Sequence, residues 1–315
     1  MRRIVAMALT AALAVVLVSC APAAETGGAK ISVIATIFAP YDFARQIAGD
    51  RADVAMLLPP GGESHTYEPT PRDIKAVRKC DVFIYVGGES DAWVEKILGS
   101  MDTSHMQIVT LMDCVELAQE RLEDGMQADK EEEGDGGGTP EYDEHVWTSP
   151  KNAMRIVEKI TAALCNADPD NSGYYIANMA YYLKELAVLD AQIQNVVDNG
   201  RRNTLVFGDR FPFRYFADAY GLRCAAAFPG CAAETEATAR TIRGLIRRMN
   251  DERIPVVLHV ELSNRKMAET IARETGAEIR MLHACHGISK LDFDSGETYI
   301  SLMQKNIEVL REALG

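Results

Sequence analysis

In this chain short apolar runs alternate with helical segments in two separate series, and between the series lies one helical period too long to belong to either. The first series predicts strands over 31–37, 52–58, 81–86 and 107–111, with helices over 40–48, 71–79 and 91–98. The second predicts strands over 204–207, 223–228, 255–260 and 278–282, with helices over 212–220, 236–250, 265–275 and 297–314. Strand–helix alternation builds parallel sheets covered on both faces, and the near-continuous apolar run Val82-Phe83-Ile84-Tyr85-Val86 suits a strand buried on both sides. Between the series, a helix over 150–165 is followed, after Asp168-Pro169, by apolar periodicity that runs to about Val197 and stops at Asn199-Gly200. As one helix that stretch would measure roughly 45 Å, a stiff spine between two α/β halves. Its periodicity equally allows a helical hairpin.

Two loops in the first half carry histidines in similar surroundings. Pro59-Pro60-Gly61-Gly62 stops the second strand, His65 follows two residues after Glu63, and Thr70, Pro71 and Asp73 then open a helix as N-cap, first residue and capping-box partner. His145 likewise lies just before a helix start, with Ser149 in the cap position and Pro150 after it. Loops at strand ends are where a rigid scaffold presents chemistry, and an imidazole there can ligate a metal or act as a base.

The ends and the charge narrow the setting. Arg2 and Arg3 precede an apolar stretch over 4–18, which reads as a secretory leader rather than a span. Leu17-Val18-Ser19-Cys20 resembles a lipoprotein cleavage box, so Cys20 is expected to become the lipidated first residue, with 21–29 as a flexible tether. No other stretch is apolar enough to cross a bilayer. With 33 bases against 46 acids the chain carries a net charge of −13, and losing Arg2 and Arg3 makes it more negative. Such a surface disfavours nucleic acid; it suits a cation, though charge alone speaks mainly to solubility. Eleven acids and two bases crowd residues 120–144, expected as a solvated, mobile insertion. Of the seven cysteines no two are spaced as Cys-x-x-Cys, so a zinc ribbon is excluded.

Gly61-Gly62-Glu63-Ser64-His65-Thr66-Tyr67-Glu68-Pro69-Thr70-Pro71-Arg72-Asp73 and Glu144-His145-Val146-Trp147-Thr148-Ser149-Pro150 resemble the two N-lobe metal-ligand motifs of the zinc/manganese substrate-binding lipoproteins of ABC importers. Phe216-Ala217-Asp218-Ala219-Tyr220-Gly221-Leu222, Glu297-Thr298-Tyr299 and Asn306 resemble that family's C-lobe landmarks, and the resemblance covers about 30 to 315 in order. It implies an α/β fold of two lobes, each a mostly parallel sheet flanked by helices, joined by a long spine helix (the class III, or cluster A, substrate-binding arrangement). The lobes would span 30–150 and 201–315, with connecting helices over 151–200. The implied function is capture of a divalent transition metal, zinc before manganese, in the inter-lobe cleft for delivery to ABC permease and ATPase subunits. The protein would be an exported monomer, not an enzyme, lipid-anchored to the outer face of the cell membrane.

Carried over residue by residue, the family's ligands fall on His65 and His145 in the first half. In the second half the chain departs from the pattern. The third ligand, a His or Glu, falls ten residues before Tyr220, where Arg210 stands, and a guanidinium cannot ligate. Asp209 beside it is the possible substitute. The fourth ligand falls closest to His286, with His283 as competitor. The expected set is therefore His65, His145 and His286, with Asp209 or water fourth. Glu63, Glu234 and Glu261 are outer candidates; Arg210 is expected to hold one of these carboxylates, such as Glu234 or Glu261. His105 and His259 are expected to be structural. Three imidazoles favour zinc over manganese, which prefers oxygen. A disulfide between Cys231 and Cys285, with Cys224 as the alternative partner, would close a loop of about fifty-five residues and contribute about 3–4 kcal/mol. Two rival functions remain open. One is a surface adhesin or structural lipoprotein. The other is a zinc-dependent hydrolase, against which stands the lack of any His-Glu-x-x-His run.

Overall fold

Two four-stranded parallel sheets repeat one construction. The first is built from β1 (Ile31–Ala35), β2 (Ala52–Met56), β3 (Val82–Tyr85) and β4 (Gln107–Thr110) in the order β2-β1-β3-β4. The second uses β5 (Thr204–Phe211), β6 (Arg223–Pro229), β7 (Val256–His259) and β8 (Glu278–Met281) in the order β6-β5-β7-β8. The computed structural model describes residues 30–63, 67–120, 142–230 and 237–315. In each sheet the chain steps outward from its first strand, then crosses back to that strand's other side. The strand order therefore reverses at β1/β3 and at β5/β7, the switch points where the carboxyl ends of open parallel sheets receive ligands.

Helices α1 (Phe38–Ala48), α2 (Pro71–Val77) and α3 (Ala92–Leu98) serve the first sheet. After α4 (Pro150–Ala167) comes α5 (Ser172–Asp198), one unbroken helix of 27 residues, about 40 Å long, which settles the choice between spine and hairpin. The spine joins the halves through specific bonds. Asn178 donates to the Ile47 carbonyl of α1 at 2.9 Å. In the second half, Tyr220 of α6 (Arg214–Tyr220) donates its hydroxyl to Asp190 at 2.7 Å. The remaining helices are α7 (Ala239–Glu252), α8 (Lys266–Thr275), α9 (Lys290–Asp294) and α10 (Tyr299–Leu314). No helix among the described residues is long and apolar enough to cross a membrane.

The structure differs from the sequence expectations in three places. Strand β5 runs on to Phe211 because its pairing with β6 shifts between Phe207 and Arg210, a bulge marked by Gly208. A Cβ at Gly208 would lie 2.6 Å from the Ala268 Cα, so α8 can pack on the strand only where no side chain intervenes. The short α9, capped by Ser289 accepting from the Asp292 N–H, has too few residues for a visible apolar period. The third is a correction to the expected Cys231–Cys285 disulfide. Cys285 is a free thiol with no exposed surface, packed in the core with burial pushing its pKa well up, while Cys231 lies outside the described residues. The leader, Cys20, the tether and residues 121–141 of the acidic insertion lie outside them as well.

Candidate metal centre

Loops at the carboxyl ends of the two sheets meet. In the first half Thr70 and Asp73 form the expected capping box at the start of α2, and the Tyr67 hydroxyl adds a bond to Asp73 at 3.0 Å. His145 follows the loop after β4 and leads through a single 3-10 turn, Val146–Thr148, into α4. Ser149 occupies the cap position without a side-chain cap bond; its carbonyl accepts the Ala153 N–H at 2.9 Å.

His145 is fully buried. The Asp143 Oδ1 accepts its backbone N–H at 2.8 Å and lies 3.2 Å from its Nδ1. Burial works against a charged ring, but the Asp143 carboxylate, with Glu144 and Glu120 behind it, outweighs burial and raises the His145 pKa. A carboxylate on Nδ1 orients the imidazole and raises the basicity of Nε2, which is how proteins prepare a histidine for a metal.

His286 stands on the loop after β8. Glu261, just past β7, clamps that loop: it accepts the Ala284 N–H at 2.7 Å, the His286 N–H at 3.0 Å and the Gly287 N–H at 3.4 Å. From α10, Asn306 accepts the His283 N–H and donates to the His283 carbonyl, both at 2.8 Å. The two histidine loops are then tied together. The Trp147 indole N–H donates to the Ala284 carbonyl at 2.8 Å, and the Tyr299 hydroxyl donates to the Trp147 carbonyl at 2.8 Å. Ring centroids lie 5.3 Å apart for His145 and His286 and 5.0 Å apart for Trp147 and His286. Both histidines line a cavity of about 400 Å³, open mouth included, with Glu63, Arg210 and Glu261. Gly230 lines it too, and a Cβ there would sit 2.9 Å from the Phe211 carbonyl oxygen and 3.0 Å from His145 Cε1, so a side chain would crowd the ring.

His286 also borders a second cavity, with Thr36, Ser90 and Asp91. Asp91 is buried and accepts the Val86 N–H at 2.6 Å; burial, aided by Glu144, lifts its pKa to about 6.

Several expected residues take other places. Asp209 is not among the cavity's lining residues, a correction to its expected role as a ligand. Its carboxylate accepts the Arg210 N–H at 2.8 Å and, across the sheet, the Val260 N–H at 3.0 Å, so it fixes the backbone where β5 bulges. Arg210 does not take Glu261, which holds the His286 loop, and Glu234 lies outside the described residues. Its guanidinium meets Glu63 at 3.0 and 3.4 Å. His283 turns to its own loop, Nδ1 accepting the Cys285 N–H at 2.9 Å. His259 ends β7 with Nδ1 2.9 Å from the Val260 carbonyl, and His105 is exposed. His65 lies outside the described residues, among which no group of three or more His, Cys, Asp or Glu is arranged to hold a metal. Sequence reasoning passed over Asp143 and underrated Glu261. The carboxylate two residues before His145 was the available signal for the first.

Histidine loops at the carboxyl ends of two parallel sheets, joined by a spine helix, define a two-lobed solute-binding protein. The model of the family described as zinc-uptake complex component A, periplasmic, matches residues 33–313, and the chain belongs to that family. The family is extracytoplasmic and consists of binding components, not enzymes. The high-affinity zinc uptake system protein ZnuA of Bacillus subtilis (strain 168) is 30% identical over 293 residues, 92% of this chain and 90% of that protein. The zinc-binding lipoprotein AdcA of Streptococcus pneumoniae serotype 4 is 28% identical over 98% of this chain, which spans 60% of AdcA's length. The crystal structure of the Zn(II)-bound ZnuA-like domain of S. pneumoniae AdcA superposes with a TM-score of 0.73 at 28% identity, covering 90% of this chain and 99% of that one.

Proposed function

We propose that this protein captures zinc in the cavity between its two sheets, with His65, His145 and His286 as ligands and water as the fourth, and delivers it to a membrane permease. The observation that carries the reading is the meeting of His145 and His286, from loops of opposite sheets, with ring centroids 5.3 Å apart on one cavity. Imidazoles suit zinc, whereas manganese favours oxygen-rich sites. Asp143 supports ligation by His145 through Nε2. The names of the zinc-uptake and zinc-binding relatives favour the same cargo. Lobes over 30–150 and 201–315, linked by 151–200, place one histidine loop on each side of the cleft. Leu17-Val18-Ser19-Cys20 supports export with a lipid anchor at Cys20, on the outer face of the cell membrane beside the permease and its ATPase.

Calorimetric titration of the metal-stripped protein with zinc and with manganese tests the reading. Zinc should bind more tightly, and His286→Ala should weaken it by well over tenfold while His259→Ala changes it little. A His286→Ala variant that binds zinc like the wild type, or a preference for manganese, refutes it.

A further inference from the structure

Arg210 is a permanent cation in the wall of a cavity read here as a cation site. Its surroundings say what it does instead of ligating. The buried Asp209 carboxylate pins the backbone at Arg210 and across to Val260, so the guanidinium is aimed by a rigid part of the second sheet. Its target, Glu63, belongs to the loop after β2 of the first sheet and lies two residues before His65. The two meet as a fork on a carboxylate, at 3.0 and 3.4 Å. The same loop touches the second half again two residues earlier, where Gly61, held at φ 85°, donates its N–H to the Ile288 carbonyl at 2.7 Å.

We propose that Arg210 is a positioning residue: paired with Glu63, it latches the loop leading to His65 onto the opposite sheet and so governs how fast the metal leaves. This rests on the zinc-capture reading above. The pair adds no net charge to the cavity and spans the halves, so it must break whenever they separate. Its side chains are 23% and 40% exposed at the cavity mouth, so water and salt compete for it and the latch is a reversible one.

The test compares zinc release to an excess of chelator, in stopped flow, for the wild type, Arg210→Met, Glu63→Gln and the swapped double variant Glu63→Arg/Arg210→Glu. A latch predicts that both single variants release zinc faster, roughly 1.5- to fivefold for a partly exposed pair, and that the swap moves the rate back toward wild type. A simple charge effect predicts opposite signs, because removing Arg210 leaves an extra anion near the metal and removing Glu63 an extra cation. Hydrogen exchange of the 58–63 amides in metal-free protein gives a second readout that needs no zinc; both single variants should lose protection there. Single variants that shift release in opposite directions, or leave it unchanged, overturn the proposal, as does unchanged exchange of the loop. Failure of the wild type to bind zinc would refute the capture reading, and the exchange measurement would still decide whether the pair docks the loop.

Discussion

Replacing Asp143 by asparagine isolates the electrostatic share of the site. The Asn side chain keeps an oxygen where Asp143 Oδ1 accepts the His145 N–H at 2.8 Å and faces Nδ1 at 3.2 Å, so loop and ring should stay in place. The Tyr215 hydroxyl, which donates to the Asp143 backbone carbonyl at 2.8 Å, is untouched. What disappears is the charge that most raises the His145 pKa. Loss of such a carboxylate behind a ligating histidine costs about 10- to 100-fold in metal affinity, about 1.4–2.7 kcal/mol. The pH dependence carries a sign. Zinc must displace a proton from His145 below its pKa, and that pKa is higher in the wild type, so proton competition penalises the wild type more. The gap between the two proteins should be widest near pH 8 and narrow toward pH 6. Competition titration with a zinc-binding dye at both pH values measures it. Equal affinities near pH 8, or a gap that widens as the pH falls, would falsify the assignment of Asp143.

Other expectations follow from the same structure. Metal-free protein should melt higher near pH 5.5 than near pH 8. The raised His145 pKa gives stability that is complete below the unfolded value of about 6.5 and is lost as the pH climbs through the folded value, and Asp91, lifted to about 6, gains stability as the pH falls through that point; a melting temperature that rises steadily from pH 5.5 to 8 would contradict this. Gly208→Ala should cost about 1–3 kcal/mol in urea denaturation, since its Cβ would meet the Ala268 backbone. By contrast Gly244→Ala, in the middle of α7 with nothing within 4 Å of a new Cβ, should gain about 0.5–1 kcal/mol, and similar outcomes for the two would count against the packing argument. Cys285 should resist thiol reagents in folded protein and react on denaturation; mass mapping that finds it disulfide-bonded would overturn its placement in the core.

Most of the scaffold was legible because its signals are local. All eight strands fall where apolar runs lie between turn residues, and Thr70-Pro71 and Ser149-Pro150 mark true helix starts. The errors arise where a long-range contact overrides the local pattern. The predicted strand ended at Phe207, one residue short of Gly208, the glycine that admits α8. Arg210 could be read as a non-ligand that holds one of three carboxylates, but the choice of Glu63 among them could not, because it is 147 residues away in sequence. Cys285 looked like a loop cysteine available to Cys231. Its positive φ of 58° belongs to the turn in which its N–H reaches His283 Nδ1, while its thiol lies in the core.

The acids around the site explain why counting potential ligands in the sequence misleads. Asp42 accepts the Tyr299 N–H, Asp91 the Val86 N–H, Asp143 the His145 N–H, Asp209 the Val260 N–H and Glu261 the Ala284 and His286 N–H groups. Each fixes a loop or helix start that no regular ladder satisfies, which a buried N–H requires. Four of these five, all but Glu261, are at most 7% exposed, so their charges act through low-dielectric surroundings rather than being screened away. Asp143 also favours a cation at His145 without leaving the backbone group it holds. A carboxylate that holds an N–H keeps lone pairs free for a metal, but its position is set by the loop it serves. The imidazole ligands proposed above leave that hold undisturbed, and they favour zinc over cations that demand oxygen.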